Sequence, residues 1–164
     1  MNPAMRLNEM GQSLWLDNIT RGLLTSGTLK KYIDEYDLKG LTSNPSIFEA
    51  AIHGADFYDQ AIRAASDEGK RGEALFLDLA LEDLRQAADL FLPMHEASHG
   101  ADGWVSMEVS PLLVNDADGT LREARTLHER LDRPNAFIKI PGTPAGVKAI
   151  EEAIFAGTQQ ETPT

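Results

Sequence analysis

Short apolar runs alternate with amphipathic segments along most of this chain. Leu14-Trp15-Leu16 is apolar and closes at Asp17, and Gly103 to Val109 alternates between apolar and polar positions, so both segments favour strands. Elsewhere apolar residues recur at helical spacing, which is typical of a helix with one buried face. Strands are predicted at 14–17, within 37–42, and at 103–109 and 136–140, and helices at 28–36, 46–51, 57–68, 73–92, 120–131 and 143–155.

Capping residues mark two of the predicted helix starts. Thr143 precedes Pro144, and proline suits the first helical position because its missing N–H would have no partner there. Thr120 is followed three residues later by Glu123, a spacing that predicts a capping box.

The alternation of strands and helices predicts parallel βα units in an α/β fold, because each crossover between parallel strands is helical. Four such units fit into residues 1–157, and the polar segment 158–164 is predicted to be a tail without regular structure. The chain has 164 residues. That length suits one domain, whereas a complete (β/α)8 barrel needs roughly 250 residues.

Composition and charge narrow the classes of function. The chain has 15 Lys and Arg residues against 26 Asp and Glu residues, a net charge of −11. That charge argues against nucleic acid and anionic membrane surfaces as partners, since both would repel the chain. The absence of cysteine excludes disulfides and thiolate chemistry. With neither a signal peptide nor an apolar segment of membrane-spanning length, the sequence predicts a cytoplasmic protein.

Each predicted strand has one polar residue at or close to its carboxyl end: Asp17 ends the first, Asn44 follows the second, and Glu108 and Lys139 lie near the ends of the third and fourth. Because barrel enzymes carry their active sites at the carboxyl ends of the strands, this joint placement predicts one site. Taken singly, three of these residues also have structural interpretations. Asp17 could cap a helix, Asn44 could be a turn residue, and Glu108 could be a paired structural carboxylate.

Lys139 is the most distinctive of the four residues. It lies between Ile138 and Ile140 and precedes Pro141-Gly142. Apolar surroundings disfavour the charged ammonium group, and a neutral amine can attack a carbonyl carbon and form a Schiff base. The other interpretation is a lysine at a sheet edge whose ammonium group reaches solvent.

The segment His95-Glu96-Ala97-Ser98-His99 matches the HExxH pattern of zinc proteases. That chemistry needs both histidines on one face of a sustained helix, together with a third ligand. Pro93 and Gly100 flank the motif, so the helix is expected to fray there, and Glu123 is already assigned to a cap. We therefore interpret the motif as a polar helix end and predict no metal site.

Four segments closely resemble those of bacterial transaldolases and occur in the same order. They are Leu14 to Asn18, Gly40 to Phe48, Gly103 to Pro111 and Ile138 to Thr143. The resemblance runs from about residue 13 to Gly157 and leaves the polar tail 158–164 outside it. Transaldolases are (β/α)8 TIM barrels, so the resemblance implies a half barrel made of about the first four βα units.

The resemblance also implies a transferase with the Schiff-base mechanism of class I aldolases and no metal or organic cofactor. Transaldolases of the pentose phosphate pathway act on sugar phosphates. They move a dihydroxyacetone unit from sedoheptulose 7-phosphate to glyceraldehyde 3-phosphate, which gives erythrose 4-phosphate and fructose 6-phosphate.

The site residues implied by the resemblance are those at the predicted strand ends. Lys139 matches the Schiff-base lysine, and Asp17 matches the carboxylate that handles the hydroxyl proton during carbon–carbon cleavage. Glu108 matches the acid/base that works through a water molecule when the imine forms and hydrolyses. The segment that hydrogen-bonds the dihydroxyacetone unit is matched by Asn44 and, beside it, Thr42 and Ser43.

The resemblance further implies that the rest of the barrel supplies another hydroxyl group near the imine and the basic residues that bind substrate phosphate. A parallel sheet of four strands has two open edges, which predicts self-association. The alternative is a catalytically silent, truncated half barrel.

Overall fold

The computed structural model describes residues 2–54, 56–157 and 160–161. Short 3₁₀ turns lie at Asp56–Tyr58 and Pro111–Leu113. No helix in this described part of the chain is both long enough and apolar enough to cross a membrane. The helices are α1 (Pro3–Glu9), α2 (Arg21–Thr25), α3 (Thr28–Tyr36), α4 (Pro45–Gly54), α5 (Asp59–Asp67), α6 (Gly72–Ala97), α7 (Ala117–Leu131) and α8 (Pro144–Phe155). The strands are β1 (Trp15–Asp17), β2 (Gly40–Thr42), β3 (Trp104–Glu108), β4 (Ala136–Lys139) and β5 (Gln160–Glu161).

The strands form one parallel sheet in the order β1-β2-β3-β4-β5. Since each neighbouring pair in the sheet is also consecutive along the chain, the sheet grows in one direction, as it does in a (β/α) barrel. The predicted α/β class, the parallel βα units and the half-barrel architecture are confirmed.

One face of the sheet packs into the hydrophobic core. Leu41, Val105 and Ile138 point to this face and are fully buried against apolar side chains of the helices, among them Leu84 and Phe91 of α6. Burial of one such side chain stabilises the fold by about 1.5–3 kcal/mol.

The opposite face of the sheet, which we call the open face, carries the alternate residues of each strand. Most of its side chains are more accessible to solvent than those of the core face: Asp17 is exposed, and Thr42, Phe137 and Lys139 are half-buried, whereas Ser106 is fully buried. The open face is formed by Trp15, Asp17, Gly40, Thr42, Trp104, Ser106, Glu108, Phe137 and Lys139.

Three aromatic rings cover the open face near the amino ends of the strands. The Phe137 ring stacks on Trp104 with ring centroids 3.9 Å apart and on Trp15 with centroids 6.4 Å apart. Gly40 lies between the two tryptophans in the sheet register, and a Cβ atom there would lie 2.6 Å from Cε2 of Trp15. Gly40 therefore makes room for the stacked rings.

The start of β3 is fixed against α6 by a glycine and a buried amide. Gly103 has a positive φ of 81°, and a Cβ atom there would collide with the backbone of His95. The buried Asn135 side chain donates hydrogen bonds of 2.9 Å to the carbonyl groups of both Ala88 and Gly103. This close approach sets where β3, and with it Glu108, lies relative to α6.

A buried charged cluster joins α2 to α6. The Asp83 carboxylate is fully buried and accepts hydrogen bonds from Arg21 Nε at 2.8 Å and from the Tyr58 hydroxyl at 2.6 Å. Arg21 also bonds to the exposed Glu82, and its guanidinium carbon lies 4.8 Å from the centroid of the Tyr58 ring. Burial raises the pKa of Asp83, although the bonds from Tyr58 and Arg21 oppose that shift.

Several element boundaries differ from the predictions. α1 and α2 have seven and five residues and were missed, because so short a segment shows no apolar period. α7 begins three residues before Thr120, since Asp116 is its N-cap and accepts a hydrogen bond from the Gly119 N–H at 2.9 Å. The predicted capping box of Thr120 and Glu123 is therefore wrong.

The tail predicted without regular structure at 158–164 is wrong at two residues. Gln160–Glu161 forms β5 and pairs in parallel with Ile138 and Lys139 of β4. Residues 158–159 and 162–164 lie outside the described residues. The division of the chain at residue 157 stays a prediction.

Candidate active site

Glu108 and Lys139 are brought together at the carboxyl ends of two adjacent strands. They are register partners in β3 and β4, and Glu108 Oε2 lies 3.4 Å from Lys139 Nζ. Their side chains are 24% and 19% exposed, so the pair is accessible to a small molecule yet partly shielded from water. The ladder continues one residue further, because the Val109 N–H donates to the Lys139 carbonyl at 3.1 Å.

The surroundings of Lys139 differ from those expected from its neighbours in sequence. Ile138 and Ile140 are fully buried on the core face, whereas Lys139 lies on the open face beside a carboxylate. The expected apolar surroundings of the amine are therefore wrong, because adjacent strand residues point to opposite faces. Glu108 is placed to accept a proton from Nζ.

Asp17 ends β1 with an exposed side chain on the open face. In the register of the sheet Asp17 is level with Thr42 of β2 and, further across, with Phe137 of β4. Phe137 precedes Lys139 by two positions, so Asp17 lies two residues below Lys139 along the strand direction. The structural interpretation of Asp17 as a helix cap is wrong, since α2 is capped by Thr20, which accepts from the Leu23 N–H at 3.1 Å. Asp17 has no capping role at α2.

The turn after β2 is held by two of the predicted binding residues. The Asn44 side-chain oxygen accepts from the Ile47 N–H at 3.0 Å and caps the start of α4, which confirms its interpretation as a turn residue. Ser43 is fully buried and donates its hydroxyl to the Ser106 carbonyl at 2.8 Å. The turn is thus anchored to β3, while Thr42 is half-buried on the open face.

A second carboxylate, that of Glu123, lines the same cleft as Glu108 and was assigned wrongly from the sequence. Glu123 Oε2 accepts a hydrogen bond from the backbone N–H of Ser110 at 3.0 Å. Glu123 and Glu108 both line a cleft of about 80 Å³ near the start of α4, together with Glu73. Burial raises the pKa of Glu123, and the charge of Glu73 adds to that shift. The three-residue spacing between Thr120 and Glu123 indicated a capping box instead. The contact of Glu123 with Ser110 joins positions 13 residues apart, so no local pattern predicted it.

The HExxH segment lies at, and just beyond, the end of α6. α6 continues through Pro93 to Ala97, so the expected fraying at Pro93 is wrong. His95 lies in its last turn with its ring edge-on to Trp104, whereas His99 lies beyond the helix with a positive φ of 54°. The two histidines therefore do not share one helical face. In the part of the chain that the structure describes, no cluster of three or more His, Asp or Glu side chains is placed to hold a metal ion.

Parallel βα units whose polar side chains gather at the carboxyl ends of the strands define the class of (β/α)-barrel proteins. Within that class, the chain belongs to the transaldolase/fructose-6-phosphate aldolase family, whose model matches residues 14–160. The family predicted from the four sequence segments is thereby confirmed.

Relatives named transaldolase extend this comparison. The chain is 48% identical to the one from Thiobacillus denitrificans, with 92% of this chain and 42% of the relative covered. It is 39% identical to the one from Trichodesmium erythraeum, with 95% and 41% covered, and 42% identical to the one from Kocuria rhizophila, with 94% and 42% covered. The chain thus spans well under half the length of these relatives, which fits a half barrel.

Proposed function

We propose that this chain carries the Schiff-base chemistry of a transaldolase, with Lys139 as the nucleophile. The observation that supports this most directly is the 3.4 Å contact between Lys139 Nζ and Glu108 Oε2 at the carboxyl end of the sheet. The proposed reaction moves a dihydroxyacetone unit from sedoheptulose 7-phosphate to glyceraldehyde 3-phosphate, giving erythrose 4-phosphate and fructose 6-phosphate. A place in the pentose phosphate pathway belongs to the same proposal.

In the first step the amine of Lys139 must lose a proton before it can attack. Glu108 takes that proton, Nζ adds to the ketone carbon of the substrate, and a proton then moves from the nitrogen to the former carbonyl oxygen, which becomes a hydroxyl group. Glu108 then returns a proton to the hydroxyl group of this intermediate, which leaves as water as the carbon–nitrogen double bond forms. Hydrolysis reverses these steps and restores the free lysine.

In the second step the bond between the third and fourth carbons of the ketose breaks. Asp17 accepts the proton of the hydroxyl group on the fourth carbon, the aldose phosphate leaves as an aldehyde, and the bonding electrons move toward the iminium nitrogen. The remaining enamine then adds to the acceptor aldehyde by the same steps in reverse. Asn44, through its amide N–H₂, and Thr42, through its hydroxyl, can hydrogen-bond the dihydroxyacetone unit, whereas Ser43 supports the turn that carries Asn44.

Borohydride trapping tests the proposed function. The full chain is mixed with fructose 6-phosphate and sodium borohydride, which reduces the imine to a stable secondary amine. Intact mass then reveals any covalent adduct, which equals the trapped ketone less one oxygen atom. An adduct of the three-carbon dihydroxyacetone unit is expected, and a folded chain without any adduct at millimolar substrate would indicate a catalytically silent half barrel.

Replacement of Asp17 by asparagine is expected to change which adduct is trapped. Asp17→Asn keeps Lys139 and Glu108, so the imine forms, but the hydroxyl proton has no acceptor and cleavage stalls. The trapped mass should then be that of the whole ketose phosphate less one oxygen. Asp34→Asn, the same change at an exposed site on α3, is the matched control and should trap the three-carbon unit. The role of Asp17 would be contradicted if its variant trapped that unit as fast as the control.

A second proposal concerns the open edges of the sheet. Within the described residues β1 pairs with β2 alone, and β5 covers only the end of β4. Open edges of parallel sheets are normally covered, so we propose that two copies of the chain associate through them. Size-exclusion chromatography with light scattering tests this, and a folded chain that stays monomeric at all concentrations would contradict it. The cytoplasmic location and the absence of nucleic-acid partners stay predictions.

A further inference from the structure

Three consecutive residues, Glu108, Val109 and Ser110, each make a contact that holds the end of β3. Glu108 reaches Lys139 Nζ through its side chain, and the Val109 N–H donates to the Lys139 carbonyl at 3.1 Å. The next N–H in the chain, that of Ser110, has left the sheet ladder and donates to Glu123 Oε2 at 3.0 Å. The residue that carries the proposed acid/base is therefore followed at once by a backbone group held by a carboxylate from α7.

The Glu123 carboxylate is suited to hold this position firmly. It is half-buried, and its Oε2 atom accepts the hydrogen bond of the Ser110 N–H at 3.0 Å. Without it the Ser110 N–H would lose its partner at a place where water has limited access, which costs free energy. Glu108, Ser110 and Glu123 line the same small cleft. A shift of the backbone at Ser110 would therefore move the Glu108 side chain away from Lys139.

From this geometry we propose that Glu123 is a positioning residue for Glu108, which it holds against Lys139 by fixing the backbone of Ser110. The proposal rests on the proposed Schiff-base function, since its purpose is to place the group that moves protons at Nζ. The hydrogen bond, rather than the negative charge of Glu123, is the element that matters. Glutamine keeps the acceptor oxygen and removes the charge, whereas alanine removes both.

The test compares Glu123→Ala and Glu123→Gln in the full chain by the rate of the reducible adduct at Lys139. Because small misplacement of a reacting group lowers rates strongly, Glu123→Ala is expected to be about tenfold slower than the wild type. Glu123→Gln is expected to stay within about twofold of it, since the bond to Ser110 is kept. Glu129→Ala, the same loss of charge at an exposed site on α7, is the matched control and should leave the rate unchanged.

Amide hydrogen exchange is a second readout that does not depend on catalysis. Glu123→Ala should speed the exchange of the Ser110 N–H and also of the Val109 N–H, which bonds to Lys139, while Glu123→Gln should protect both. Unchanged exchange in the alanine variant would overturn the proposal, as would an unchanged adduct rate or a glutamine variant as slow as alanine. If the wild type formed no adduct, the proposed function would fail, and exchange alone would then decide whether Glu123 holds this backbone. If the alanine variant did not fold, a slow adduct rate in the glutamine variant would still overturn the proposal.

Discussion

Replacement of Lys139 by alanine is expected to abolish the borohydride-trapped adduct. The amine is the only group in the Glu108–Lys139 pair that can form a carbon–nitrogen bond with a ketone, so no residual adduct should form at this position. The fold should survive, because a partly exposed ion pair contributes only about 0–1 kcal/mol and Glu108 stays in contact with solvent. Intact mass and peptide mapping after reduction measure the result.

Lys148→Ala is the matched control for this experiment. Lys148 is exposed on α8, so its loss removes one reactive amine without touching the open face. This variant should trap as much adduct as the wild type. An adduct of undiminished yield in Lys139→Ala, mapped to another lysine, would contradict the assignment of Lys139 as the nucleophile.

Replacement of Asp83 by alanine is expected to have the largest effect on stability. Its carboxylate is fully buried, and its removal leaves the Arg21 guanidinium and the Tyr58 hydroxyl without their buried partner. Breaking a buried ion pair from one side typically costs about 3–5 kcal/mol. Urea unfolding followed by circular dichroism should therefore show a loss of that size in the free energy of unfolding.

The adjacent carboxylate provides the comparison. Glu82 bonds to the same guanidinium at 2.7 Å, but its side chain is 51% exposed. Glu82→Ala should therefore cost at most about 1 kcal/mol, because exposed ion pairs are screened by water. Equal losses in the two variants would show that burial does not decide the strength of this cluster.

The sequence was sufficient where the determining contacts are local. α3 was predicted with its observed bounds, and the start of α8 was predicted because Thr143 and Pro144 act within one turn. The end of β1 at Asp17 followed in the same way, since a short apolar run closed by a polar residue shows where a strand stops, whereas β4 ends at Lys139, one residue before the predicted end.

The sequence was insufficient where two distant segments compete or pair. The contact between Glu108 and Lys139 depends on the register of β3 and β4, which no local pattern encodes. The bond between Arg21 and Asp83 joins residues 62 positions apart and depends on how α2 docks on α6. Glu123 was assigned to its own helix start, although tertiary structure uses it to hold the backbone of another segment.

The aromatic rings of the open face have a consequence for how this chain can be observed. The chain has two tryptophans, Trp15 and Trp104, and both belong to that face, where each stacks with Phe137. Ultraviolet emission from tryptophan therefore arises entirely from the open face, which also carries Glu108 and Lys139. The wavelength of tryptophan emission thus reports how polar the surroundings of the open face are, and no fluorescent label has to be introduced to measure it.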